Sequence, residues 1–216
     1  MKNWLDKMER RFGRYAIRNL TMYLLAGYAI GYLLSFTMPQ LLTYFTLEPA
    51  LILKGQVWRL LSWVIIPPND NIIFVIFMML LYYSLGNTLE SYWGAFRYNV
   101  YIFSGILFTV IGAFIVNGLI GGITGFGSLY STYYINMSIF LACASIMPDY
   151  QLLLYGIIPI KMKWLAILDV VLLAVDAVQG GLIIRIVIIA SLLNFIIFFF
   201  CNRNLRGHSP KKAARR

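Results

Sequence analysis

The stretch GSLYSTYYINMS, residues 127 to 138, gathers hydroxyl and amide side chains at the head of an otherwise apolar segment. Ser128, Ser131 and Thr132 are its candidate nucleophiles, and such a hydroxyl needs a base within hydrogen-bond reach at neutral pH. The chain has one histidine, His208, and it lies in a basic C-terminal tail. A desolvated lysine can replace histidine as the base. Lys161 and Lys163, however, fall a span length away from this stretch, and Lys54 sits in a separate loop. Asp169 and Asp176 share a helical face, but seven residues of helix separate them by about 10 Å, too far for two carboxylates to share a proton. No clustered histidines and cysteines suggest a metal site. GLIGGITGFG lacks the Lys-Ser/Thr continuation of a phosphate loop, so neither metal nor cofactor is expected.

The elements that must position these residues are membrane spans. Of 216 residues, 61% are hydrophobic and 12% charged, and the mean hydropathy is +0.77, outside the range of soluble domains. The net charge of +10 is concentrated at the two ends, in Lys2 to Arg18 and in Arg203 to Arg216. Basic clusters flanking apolar spans point to a lipid surface, and no nucleic-acid partner is expected. Six apolar windows follow, near residues 19 to 38, 71 to 87, 98 to 117, 128 to 147, 163 to 178 and 181 to 201. The division is a basic amphipathic segment over 1 to 18 lying on the membrane, a six-span domain over 19 to 201, and a basic tail over 202 to 216. An even span count puts both termini on one side, and their charge assigns that side to the cytoplasm. The charged first eighteen residues do not read as a cleavable signal peptide. Cys143 and Cys201 read as reduced packing residues.

The outer segment from 39 to 70 is long and half apolar, and Pro39, Pro49, Gly55, Pro67 and Pro68 prevent it from forming one helix. Short helices in the outer interface are expected there, anchored by Tyr44, Trp58 and Trp63. The GYAIG of the first window reads as a helix-contact motif, and GLIGGITGFG as a tight outer turn or a close approach of two spans.

GQVWRLLSW in the first loop, GNTLESYWG closing the second span, and the MPDYQLLLYGIIPIKMKWLA connection occur in order. Together they resemble the rhomboid family of six-span intramembrane serine proteases and their inactive relatives, the derlins among them. The resemblance implies an all-α six-helix bundle with a long interfacial first loop, and it covers residues 19 to 201. Trp58 and Arg59 match the family's Trp-Arg pair, while Gly86, Glu90 and Gly94 match its G-x-x-x-E-x-x-x-G motif. The two glycines are read as permitting close helix approach, Glu90 as a pin to neighbouring loops, and Arg59 as a fork for loop carbonyls.

An active rhomboid pairs a G-x-S-G serine with a histidine in span six. Here the serine motif is absent. Tyr133 stands near the nucleophile's expected position, and Ser191 or Asn194 stands near the histidine's. The resemblance therefore implies a pseudoprotease that binds transmembrane segments of other proteins in quality control, trafficking or chaperoning. The expected client contacts are Ser128, Ser131, Thr132, Tyr133, Asn136, Asp169, Ser191 and Asn194. The alternatives are an intramembrane serine peptidase with an atypical site and a small transporter. An Asp176 to Arg185 pair is expected, with Asp169 either protonated or bonded to hydroxyls of span four. Short loops and the absent signal sequence suggest a bacterial cytoplasmic membrane.

Overall fold

The computed structural model describes residues 4–67, 72–154 and 158–201. Its long helices are α1 (Trp4–Phe12), α2 (Leu20–Thr37), α6 (Ile72–Trp93), α7 (Ala95–Leu119), α8 (Tyr133–Ile146), α9 (Met162–Gln179) and α10 (Leu182–Cys201). The first loop folds as three one-turn helices, α3 (Pro39–Leu42), α4 (Pro49–Ile52) and α5 (Arg59–Ser62), followed by a 3-10 turn at Trp63–Ile65. Pro39 and Pro49 each open a helix, where the missing N–H costs nothing because that position has no intrahelical acceptor.

By length and composition, three of the described helices suffice to cross a membrane: Leu20–Thr37, Ile72–Trp93 and Ala95–Leu119. The chain is thus a mostly helical membrane protein with three described helices long and apolar enough to cross a membrane. Helix α8 has 14 residues, and α9 carries Lys163, Asp169 and Asp176. The helical expectation stands, with one short addition. Gln151–Leu154 and Ile158–Lys161 form an antiparallel two-stranded hairpin between α8 and α9.

Helix α7 is the mast of the bundle. Its buried residues run from Tyr98 through Ile102, Gly105, Thr109 and Ala113 to Asn117, at helical spacing. Helices α6, α8 and α10 pack on it, with α1 against its first turns and α4 also in contact. Small residues set these approaches. A Cβ on Gly112 would sit 3.1 Å from the Ala190 Cβ on α10. The GYAIG motif of α2 faces the first loop, and a Cβ on Gly31 would run into the Ile65 backbone, so the contact is internal.

The N-terminal helix has its own ties to the bundle, and one expectation for the first loop is revised. Helix α1 docks on protein: Leu5 is buried, and Arg97 holds Asp6 at 2.7 Å and Glu9 at 2.9 Å. Trp63 is fully buried in the core, with Nε1 donating to the Leu60 carbonyl at 3.1 Å, so it is no interfacial anchor.

Candidate functional site

The loop motif and the helix-end motif are both built from hydrogen bonds. Arg59 is 3% exposed; its Nη1 donates to the carbonyls of Thr43 at 2.8 Å and Thr46 at 2.9 Å, and its Nε to Gln56 Oε1 at 2.6 Å. One planar fork therefore gathers three points of a loop with no ladder of its own. The adjacent Trp58 is half exposed and donates from Nε1 to the Tyr44 carbonyl at 3.2 Å.

Glu90 Oε1 accepts the Asn19 backbone N–H at 2.8 Å. Asn19 immediately precedes α2 in the left-handed region, with φ of 55°, so the carboxylate holds a conformation that a non-glycine residue rarely keeps. A Cβ on Gly86 would fall 2.2 Å from Thr21 Oγ1 and 2.8 Å from the Tyr98 hydroxyl, where α2, α6 and α7 meet. Gly94 serves a different purpose from Gly86, contrary to the expectation that both permit close helix approach. It lies between α6 and α7 with φ of 86°, and the nearest atom to an added Cβ, Glu9 Oε1, is 3.9 Å away.

The polar stretch opening α8 divides in two. Ser128 is exposed in a 3-10 turn, and Ser131 Oγ accepts the Tyr133 backbone N–H at 3.2 Å in a local turn just before the helix. Helix α8 begins at Tyr133, five residues later than the window read from hydropathy. Tyr133 is half-buried, its ring edge-on to Tyr134 with centroids 5.2 Å apart. Thr132 and Asn136, one turn apart, point inward and are 1% and 4% exposed. Asn136 is paired with the α2 phenol of Tyr28 at 3.3 to 3.4 Å, and Thr132 faces the same phenol.

Asp169 of α9 is also buried, within electrostatic reach of Tyr82 on α6 and of Tyr133. Among the described residues, Thr132 Oγ1 and Asp169 Oδ2 make no hydrogen bond. Thr132, Asn136 and Tyr28 thus form a buried polar notch between α8 and α2, with the buried Asp169 of α9 in its electrostatic surroundings. The expected bond between Asp169 and the span-four hydroxyls is not made through Oδ2.

The partner expected for Asp176 goes elsewhere. Arg185 donates to the carbonyls of Ala177 at 2.7 Å and Val178 at 3.3 Å, satisfying the C-terminal end of α9, and no Asp176–Arg185 ion pair forms among the described residues. Asn194 is likewise not a free contact. It is 2% exposed, donates to the Tyr101 carbonyl at 2.9 Å and accepts from Ser104 at 2.6 Å, so both ends of its amide are used in joining α10 to α7. Ser191 belongs to α10, but its side chain, like His208, lies outside the described residues.

Sequence reading missed Glu48. Its carboxylate, 7% exposed, accepts the backbone N–H groups of Gly125 at 3.0 Å and Gly127 at 2.8 Å, tying the first loop to the loop before α8. Gly121, Gly122 and Gly125 have positive φ, which fixes GLIGGITGFG as a turn. A Cβ on Gly127 would meet Glu48 Oε1 at 2.8 Å. Beside it, burial and then the Glu48 charge push the Tyr130 phenol up to about 12, so it stays neutral. Only a run of closely spaced glycines signalled that this loop needed an acceptor.

Residues 18–211 match the family model described as "Eukaryotic integral membrane protein (DUF1751)", and the chain belongs to that family. No curated protein and no solved structure matches the chain. The family corrects one expectation. A eukaryotic integral membrane protein does not reside in a bacterial cytoplasmic membrane, and short loops carry no information about the kind of cell.

Proposed function

We propose that this eukaryotic integral membrane protein is a non-catalytic rhomboid-like scaffold that receives transmembrane segments of other proteins. In this reading six helices lie in the bilayer with both termini in the cytoplasm. The supporting observation is the buried polar notch of Thr132, Asn136 and Tyr28, with Asp169 on α9 also buried and its Oδ2 without a hydrogen-bond partner among the described residues. A client helix carrying a polar side chain finds no partner in lipid. At the notch it gains one, worth roughly 0.6 to 2 kcal/mol in a membrane.

Entry past α9 suits this reading. Its described buried residues are Met162, Asp169 and Leu173, while Ile167, Leu168, Val171 and Val178 face outward. Catalysis fits poorly. Ser131 Oγ is engaged with the Tyr133 N–H, Ser138 Oγ donates to the Ile135 carbonyl at 2.7 Å, and the chain's single histidine is at position 208.

A photoreactive residue replacing Tyr133 tests the reading in cells. It should crosslink to transmembrane segments bearing a mid-span polar residue, and Asp169→Leu should reduce those crosslinks roughly threefold to tenfold. Crosslinks to lipid alone in a folded protein would overturn the reading. So would serine-specific labelling by a fluorophosphonate that is abolished by one serine substitution.

A further inference from the structure

A second feature lies away from the notch, where the N-terminal segment crosses the start of α7. A groove of about 380 Å³ opens there. Phe96, Val100, Phe103 and Leu107 recur at three- and four-residue spacing and line one face of α7, while Phe12 and Tyr15 close the groove from the other side. From Phe96 to Leu107 the stripe rises about 16 Å, the length of a substantial part of an acyl chain. Phe103 and Leu107 are 47% and 56% exposed, so the groove is not filled by protein.

The rim is cationic. The Arg14 guanidinium stacks over the Tyr15 ring at 4.6 Å, and the Arg11 guanidinium lies 5.5 Å from the Phe12 ring centroid. Both cations are therefore carried on aromatic rings that form the groove wall. Among the described residues neither forms an ion pair, since the carboxylates of Asp6 and Glu9 are engaged by Arg97. The groove also has a buried acceptor. Asn99, 5% exposed, lines it; Nδ2 is used by the carbonyls of Ile17 and Ala95, both at 2.8 Å, but Oδ1 has no hydrogen-bond partner.

We propose that this groove seats an anionic glycerophospholipid whose headgroup carries a hydrogen-bond donor. The acyl chain lies along the α7 stripe, the phosphate meets Arg11 and Arg14, and Asn99 Oδ1 accepts the headgroup N–H or O–H. Each part of the groove selects a different property. The aromatic stripe accepts any acyl chain, the paired cations require net negative charge, and the orphan oxygen requires a donor.

Four lipids separate these requirements. Phosphatidylserine has both charge and donor, phosphatidylmethanol has charge alone, phosphatidylethanolamine has a donor without net charge, and phosphatidylcholine has neither. Native mass spectrometry of the full-length purified protein with each lipid should rank phosphatidylserine first, at least tenfold above phosphatidylcholine, with the other two between. Each basic residue near an anionic surface contributes roughly a fivefold factor, so Arg11→Gln with Arg14→Gln should weaken phosphatidylserine binding about 25-fold and leave phosphatidylcholine unchanged. Phosphatidylserine with a diazirine in its acyl chain should label Phe103 and Leu107, and Val100→Trp should remove that labelling. Equal binding of all four lipids by the wild type, or a headgroup preference unchanged in the double glutamine variant, would overturn the proposal. Even labelling of α7 and α9 would do so too.

Discussion

The contact at Gly86 gives a prediction whose size can be worked from distances. An alanine there places its methyl group 2.2 Å from Thr21 Oγ1, 2.6 Å from Thr21 Cγ2 and 2.8 Å from the Tyr98 hydroxyl. Real Cβ atoms do not approach so closely, so α2 must move away from α6 or Thr21 must leave its rotamer. Inserting a methyl group into a packed core costs about 1 to 3 kcal/mol. Thr21→Ala has a different cost, the 2.8 Å hydrogen bond to the buried Tyr98 phenol, worth about 0.6 kcal/mol on average within a membrane. Combining the two removes both of the nearest clashing atoms, and the phenol can then tilt into the vacated space. The double variant should therefore be more stable than Gly86→Ala alone, with a coupling energy of at least about 1 kcal/mol. Unfolding of the detergent-solubilised protein in increasing SDS measures each corner of the cycle. Additivity within about 0.5 kcal/mol would refute the view that these atoms share one tightly packed space.

The other structural readings are as directly testable. Arg59→Met should cost about 3 kcal/mol or more, because the carbonyls of Thr43 and Thr46 lose a charged donor; Arg59→Lys, keeping the charge but not the fork, should recover part of it in the same unfolding assay. Glu48→Ala should expose the loop around Gly125 to limited proteolysis, whereas Glu48→Gln, which keeps an acceptor oxygen, should protect most of it. Gly94→Ala should cost about 1 kcal/mol or more through its positive φ alone, with no rescue from shortening Glu9. Arg97→Met should release α1, and hydrogen exchange over residues 4 to 12 should rise. Because the Asp6 and Glu9 side chains are part-exposed, molar salt should raise that exchange in the unaltered protein as well.

Long apolar runs made most helices legible, since an uninterrupted stretch of that composition leaves few other ways to satisfy its backbone. The limits of α2, α7, α9 and α10 fall within a few residues of the hydropathy windows. Short apolar runs were not legible: QLLL and IPIK pair as strands, and nothing in a four-residue run separates a strand from a loop. The candidate site was partly legible. Thr132, Asn136 and Asp169 stand out as polar residues in apolar segments, and all three are buried. Charge pairing misled for Arg185, because the unpaired carbonyls ending α9 are nearer acceptors than Asp176. Glu48 could not be found, because its partners lie 77 and 79 residues further on and are backbone groups with no side-chain signature.

The two long-range ties at the ends of α7 impose an order of assembly on the growing chain. Arg97, at the helix start, must emerge before the segment bearing Asp6 and Glu9 can settle. Glu48 has no N–H donors to accept from until Gly125 and Gly127 have been made, after the helix is complete. During synthesis the N-terminal helix and the first loop therefore wait, in that sequence, and a ribosome paused between residues 97 and 125 would present a nascent chain with one end fastened and the other open.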